Sequence, residues 1–329
     1  MLNKWSVAVL VGVVAIFSHD EGAVMADDKP IRVGLVGLDT SHAPAFAKSL
    51  NAQPAKPGLE GARVVAAFPG GSPDMPVSIN RVEGFTKLVS EQGVQIVDSI
   101  EELVKLVDVV IINSLDGRVH LDQAKTVIAA GKPLFIDKPL SASLSDGQKI
   151  FDLAKEHKVP CFSSSSLRYC TELIDWTNQK TIFGCEAYSP CSVGEHHPTL
   201  FWYGIHGVET LFAVMGPGCE TVTSIRTPGQ DVVVGVWNDG RVGTFRGTRQ
   251  GKSGFGATVF GSEKIAGGPV KVNYDLLLVE IVKFFKTGTP PVAPETTLEI
   301  LAFMEAADES HEQGGKPVKL KTTAAVSKQ

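Results

Sequence analysis

From Ile31 onward the chain alternates short apolar runs with amphipathic stretches, the rhythm of βαβ units that build a parallel sheet. Ile31–Val36 is expected as the first strand, Ala43–Leu50 as its helix and Ala62–Phe68 as the second strand. A short strand at Val94–Ile96 and a helix at Glu101–Leu106 follow. Val109–Ile112 is a run of four branched residues, the pattern of a strand buried on both faces. Leu121–Ala130 reads as a helix ending at Gly131, Leu134–Ile136 as a strand, Leu144–His157 as a helix and Cys161–Ser164 as a last strand.

Past about Tyr169 the rhythm changes. Val232–Trp237 and Val242–Arg246 flank Asn238-Asp239-Gly240, and Asp-Gly suits a tight hairpin turn with positive φ. Thr258–Phe260 and Val270–Val272 read as further strands, and Leu276–Lys286 and Thr296–Ser310 as amphipathic helices. The expectation is an α/β domain over 30–165, then an α+β domain over 166–322 with an open, mostly antiparallel sheet. The 329 residues allow this, since single cores stop growing at about 250–300 residues.

Residues 1–26 read as a signal peptide rather than fold. Lys4 supplies a positive start, Trp5–Phe17 an apolar stretch and Val24-Met25-Ala26 a small-residue cleavage site. The apolar stretch is shorter than the ~20 residues of a membrane span. A periplasmic or secreted protein with no stable span after cleavage is expected, and any cofactor must be acquired outside the cytoplasm. The net charge of −5, with no basic stripe, excludes an electrostatic footprint for nucleic acid. Five cysteines, an odd number, lie in the second half without zinc-ligand spacing. They are expected as small buried residues with at most one bridge, and no metal site is expected.

Candidate chemistry gathers at strand ends, where open α/β sheets bind ligands. Gly34-Leu35-Val36-Gly37-Leu38-Asp39-Thr40-Ser41-His42 follows the first strand. A dinucleotide fingerprint places three glycines here. Gly37 serves as the first, while Asp39 and His42 hold the other two positions. A carboxylate at position 39 is expected to face and repel phosphates at a helix end that otherwise attracts anions. Alternatively Thr40 or Ser41 simply caps the helix entering Pro44, and Asp39 and His42 touch substrate. The second strand ends in Phe68-Pro69-Gly70-Gly71-Ser72-Pro73-Asp74, without the acid that grips an adenosine ribose. Asp74 is one substitute, and Gly71 with Ser72 could instead admit a 2′-phosphate.

Asn113 through His120 form another strand-end segment, read as a helix-capping loop or as a source of substrate contact through His120. Asp137-Lys138-Pro139 ends a buried strand, where desolvation lowers a lysine pKa. His206 stands between Gly204 and Gly207 near a helix start, and imidazole suits proton transfer from a hydroxyl. Glu195-His196-His197 and Trp202-Tyr203 add polar and aromatic material suited to a sugar face.

These pieces resemble the Gfo/Idh/MocA oxidoreductases from about Ile31 to Leu320. The matching residues are Val33-Gly34-Leu35-Val36-Gly37, Asp137-Lys138-Pro139 for the family's Glu-Lys-Pro, and Gly204-Ile205-His206-Gly207-Val208-Glu209 for Gly-x-His-x-x-Asp. Ser310 through Lys319 looks like the closing Ser-x-x-x-Gly-x-x-Val segment. The resemblance implies a Rossmann-like doubly wound sheet, bound NAD or NADP, a sugar, inositol or other polyol substrate, and a homo-oligomer. It implies that Lys138 binds the reacting hydroxyl and that His206 assists its deprotonation during hydride transfer. It also allows transient oxidation that cleaves a glycosidic bond. The expected cofactor contacts are Gly37, Asp39, Thr40, Ser41, His42, Ser114 and Lys138. The expected substrate contacts are His120, Arg168, His197 and Tyr203. Three departures stand out: two fingerprint glycines, the ribose acid, and the aspartate four residues before the motif histidine, which is Trp202 here. His197, Tyr203 and Asp39 are the candidates to replace that aspartate. The rival readings are a cofactor-free carbohydrate-binding protein that keeps the fold, and a hydrolase or lyase using Asp39, His120 and His197.

Overall fold

The computed structural model describes residues 29–321, so the signal segment read at 1–26 lies outside the described residues. The first half runs β1 (Ile31–Val36), α1 (His42–Leu50), β2 (Ala62–Phe68), α2 (Pro76–Ser90), β3 (Gln95–Ile96) and α3 (Ile100–Leu106). It continues through β4 (Val109–Ile112), α4 (His120–Ala129), β5 (Leu134–Asp137), α5 (Leu144–Glu156) and β6 (Cys161–Ser164). These strands form one six-stranded sheet in the order β3-β2-β1-β4-β5-β6, with every pairing parallel. The order reverses between β1 and β4, and ligands bind open α/β sheets beside such a reversal. All four residues of β4 and of β5 are buried, as their branched and aromatic composition demands.

After a short turn at Ser166–Tyr169 the chain forms α6 (Thr171–Thr177), β7 (Ile182–Pro190), α7 (Thr199–Trp202) and α8 (Ile205–Met215). Then come β8 (Cys219–Thr227), β9 (Gln230–Trp237), β10 (Val242–Thr248), β11 (Gly256–Gly261), β12 (Ile265–Pro269), α9 (Tyr274–Thr287), α10 (Pro294–Glu312) and β13 (Val318–Lys319). The second sheet has the order β12-β11-β7-β10-β9-β8-β13. Only β7 and β10 pair in parallel. Helix α8 is almost entirely buried, with Glu209 on its polar side partnered inside the protein by Arg168, as a buried polar group requires. Its packing requires Gly207: a Cβ there would stand 2.2 Å from the Phe245 ring.

Three features depart from the pattern read along the chain. Helix α2 had no signal, because it buries only Ser78 and Val89 and leaves Ile79 and Leu88 exposed. The strand expected at Val270–Val272 lies instead at Ile265–Pro269, where Ala266, Gly267 and Gly268 pair with β11 through backbone alone. Helix α9, read as part of the second unit, returns to the first. Its Leu277, Leu278, Ile281 and Phe284 share a core with Phe46, Phe135 and Phe162, and the Phe162 and Phe284 rings meet edge-on at 4.7 Å. All five cysteines are unpaired and buried, so the bridge allowed for is not formed. Burial pushes the Cys161 thiol up to about 12.

Candidate active site

Strand β5 carries Asp137 and Lys138 to the carboxyl edge of the first sheet. The Asp137 carboxylate accepts from the Lys138 backbone N–H at 2.8 Å and pairs through Oδ2 with His42 Nδ1. Burial alone would raise Asp137, but the His42 ring and the Lys138 ammonium hold it below the ordinary carboxylate range. Burial lowers Lys138 from the usual lysine value, against the pull of Asp137. The His42 ring stacks on Phe46 at 5.5 Å and leans on Tyr274 at 4.6 Å, and those two rings meet each other edge-on at 5.8 Å.

His206 arrives from the other side, in the first turn of α8. Its Nδ1 lies 2.8 Å from Ser165 Oγ. Tyr203 meets the ring edge-on at 5.1 Å and Phe255 at 5.7 Å. Burial, then the nearby Lys138 and His42, hold His206 well below the ordinary histidine value, so it is neutral at neutral pH. Lys138, His206, His42 and Tyr203 line one cavity of about 420 Å³. Thr40, Ser41 and Arg81 line it too, as do the aromatic rings of Trp202, Phe255 and Tyr274. Among the described residues no carboxylate lines it.

The structure therefore brings together Lys138, His206, His42, Thr40, Ser41 and Tyr203, and leaves the other candidates outside this cavity. Gly37 takes φ +87°, and a Cβ there would fall 2.4 Å from the Ser114 backbone nitrogen. It serves close packing, and its N–H donates to Phe68 O at 3.0 Å. Asp39 does not face outward as a repelling charge. Its carboxylate is fully buried and accepts from Ser78 Oγ at 2.7 Å and Leu115 N–H at 2.9 Å. Burial raises its pKa against those hydrogen bonds. Ser114 exchanges hydrogen bonds with the Gln123 amide at 3.0 and 2.8 Å. Ser41, at the N-cap of α1, makes no capping bond, whereas the Thr40 hydroxyl oxygen accepts from the His42 N–H at 3.4 Å where the helix begins.

Of the expected substrate contacts, Tyr203 lines the cavity and the other three lie outside its lining. His120 is fully buried, with Nε2 against Ser114 O at 2.8 Å and Nδ1 against Pro139 O at 3.0 Å. It ties the loop after β4 to the loop after β5. Arg168 is spent on Glu209, its Nε donating at 2.9 Å, so the acid of the histidine motif is turned away from the cavity. His197 lies against Trp202 at 4.9 Å and places Nε2 3.1 Å from Asp116 Oδ1. Asp116 also accepts from Ser72 Oγ at 2.7 Å and from Arg118. Burial opposes its ionisation, but His197, Arg118 and Ser72 hold it far below the ordinary carboxylate range. Asp74 pairs both its oxygens with Arg118 at 2.9 Å. Neither Asp74 nor the buried Ser72 is therefore left to receive a ribose or a 2′-phosphate.

Several cavity residues, Phe255 and Tyr274 among them, had no sequence signal. Val77 and Arg81 come from α2, whose pattern does not announce a helix. Asp137 was visible as the neighbour of Lys138, but its partner His42 lies 95 positions away.

Residues 31–165 match the family model GFO_IDH_MocA, described as an oxidoreductase family with an NAD-binding Rossmann fold. The fold is shared with GenD2 from gentamicin A biosynthesis, solved in complex with NAD: TM-score 0.70, 17% identity, 89% of this chain and 97% of that one. Myo-inositol 2-dehydrogenase from Lactobacillus plantarum gives a TM-score of 0.71 at 16% identity, over 89% and 100% of the two chains. Scyllo-inositol dehydrogenase from Lactobacillus casei, with bound NAD(H) and scyllo-inositol, gives 0.69 at 16%, over 88% and 99%. No curated protein matches the chain by sequence. The parallel-sheet domain that carries Lys138, residues 31–165, belongs to the Gfo/Idh/MocA oxidoreductases and has their NAD-binding Rossmann fold.

Proposed function

We propose that the cavity oxidises, or in reverse regenerates, a hydroxyl of a sugar or polyol by hydride transfer with NAD or NADP. One observation carries this reading: Lys138 from β5 and His206 from α8 line the same cavity. The aromatic walls supplied by Trp202, Tyr203, Phe255 and Tyr274 suit the apolar face of a sugar ring, with hydroxyl and cationic groups between them. The apolar leader read at residues 1–26 would put this reaction outside the cytoplasm. Among the described residues, no helix is long and apolar enough to cross a membrane.

The residues present fit a dinucleotide at two points. Thr40, Ser41 and Arg81 offer hydroxyl and guanidinium donors beside the start of α1, suited to phosphate oxygens. The acid at position 39 is turned inward and does not oppose them. Lys138 would stand beside the nicotinamide. When bound, the cofactor supplies the hydride acceptor. The protein's own part is to bind and orient the hydroxyl and to manage its proton. Lys138, its pKa lowered by burial, donates to the substrate oxygen and stabilises negative charge as it develops there. His206, neutral and fixed through Nδ1 by Ser165, presents Nε2 to the same oxygen.

A sugar-binding protein without redox chemistry has one observation in its favour. Two N–H groups of the first turn, Gly37 and Leu38, are taken by the carbonyls of Phe68 and Pro69, the latter at 2.7 Å. Lys138→Met separates the readings. It should fold and bind sugar, yet lose NAD(P)-linked turnover by at least the ~100-fold expected of a positioned proton-transfer group. Unchanged turnover would overturn the assignment, and a wild type that neither binds nor reduces a dinucleotide would favour the sugar-binding reading.

A further inference from the structure

In the family pattern, an aspartate four residues before the motif histidine completes the proton-handling pair, and this chain has Trp202 there. None of the three residues proposed to replace it supplies a free acid or base. Asp39 is held by Ser78 and Leu115. His197 lies outside the cavity lining, with its Nδ1 bonded to Glu195 O. Tyr203 lines the cavity, but its phenol is a weak base beside an imidazole.

A different pair occupies the cavity wall. His42, at the third glycine position of the fingerprint, lines the cavity together with Lys138 and His206. Its Nδ1 is bonded to the Asp137 carboxylate. A carboxylate on Nδ1 fixes the proton there, leaves Nε2 as the base and stabilises the imidazolium once it forms. His206 lacks such support. Its Nδ1 partner is the neutral Ser165 hydroxyl. The charged and titratable groups around His42 are Asp137 and Lys138 from β5, His206 from α8 and Tyr274 from α9. Only one of them, Asp137, offsets positive charge at neutral pH.

We infer that His42, held by Asp137, takes the hydroxyl proton of the substrate, while His206 orients that hydroxyl. The inference rests on the hydride-transfer reading above. In the step, the O–H and C–H bonds of the carbinol break and a C=O bond forms. The proton goes to His42 Nε2, and the hydride goes to the oxidised nicotinamide, which is reduced.

The test uses the full chain and its His42→Gly and Asp137→Asn variants. NAD⁺ affinity is read by calorimetry, and turnover is read with myo-inositol, scyllo-inositol and glucose as probes. His42→Gly should bind NAD⁺ within about threefold of wild type, lose at least about 100-fold in turnover, and recover about tenfold or more when imidazole is added to the buffer. Asp137→Asn should lose turnover without imidazole rescue. A His42→Gly variant that keeps turnover while Lys138→Met loses it overturns this inference and leaves the hydride-transfer reading standing. A wild type that oxidises none of the probes removes both. If the variants fail to fold, long-range ¹H–¹⁵N NMR of the wild type decides. A His42 proton on Nδ1 with a bare Nε2 is expected, and a proton on Nε2 overturns the inference.

Discussion

The polar residues between the loops after β1, β2 and β4 are used in the opposite way to the pair that Lys138, at the end of β5, forms with His206 of α8. In the first group Asp39 binds Ser78 and Leu115, Asp116 gathers Ser72, Arg118 and His197, and His120 bridges Ser114 and Pro139. Each spends its hydrogen bonds inside the protein. In the second group Lys138 and His206 face the cavity with pKa values displaced by burial. Position at a strand end therefore does not make a polar residue functional. What decides is whether neighbouring side chains and backbone have already satisfied it. Substitutions in the first group should change stability, and substitutions in the second should change rate.

The largest effect expected in the first group is from Asp116→Ala. Removing this buried carboxylate takes the acceptor from Ser72 and the nearby charge from His197 and leaves Arg118 with Asp74 alone, at a cost of about 3 kcal/mol in a denaturant titration, with turnover per folded molecule retained. The folded pKa of Asp116 is depressed. Its contribution is therefore present above the unfolded carboxylate value and is lost as pH falls toward the folded one. A stable Asp116→Ala protein with lost turnover would break the comparison. Asp39→Gly restores a fingerprint glycine, yet it should destabilise by about 1–3 kcal/mol, because the Leu115 N–H and Ser78 hydroxyl lose their acceptor. Tighter NAD⁺ binding by that variant would contradict the inward role assigned to Asp39. The smallest effect is expected from Arg81→Ala, at the cavity's outer end: about tenfold weaker NAD(P)⁺ binding, roughly 1.4 kcal/mol, with an unchanged melting temperature. Equal binding by this variant would remove Arg81 from the phosphate donors.

The first sheet was legible because β1, β2, β4 and β5 are largely apolar runs bounded by turns, and their observed limits nearly coincide with those runs. Lys138 was legible because it follows a strongly patterned strand, and His206 because Gly204 and Gly207 frame it near a helix start. The pattern failed where burial did not follow side-chain polarity. Helix α2 packs through Ser78 and Val89, so neither the helix nor the partner it gives Asp39 could be read. Without that partner, Asp39 looked like a carboxylate facing phosphates. The pairing of His42 with Asp137 is a property of the folded sheet, joining the end of β5 to the start of α1, and no local periodicity reports it. Helix α9 shows the same limit, since its apolar stripe marks a helix but not which core receives it.

The central claim is that Lys138 and His206 act on one hydroxyl as a unit. The most direct measurement is NAD(P)-linked turnover in a double-mutant cycle of Lys138→Met and His206→Asn. Residues acting as a unit are non-additive, so the double variant should be no more than about tenfold slower than the worse single one. Losses that multiply in the double variant, or a single variant with wild-type turnover, would contradict the account.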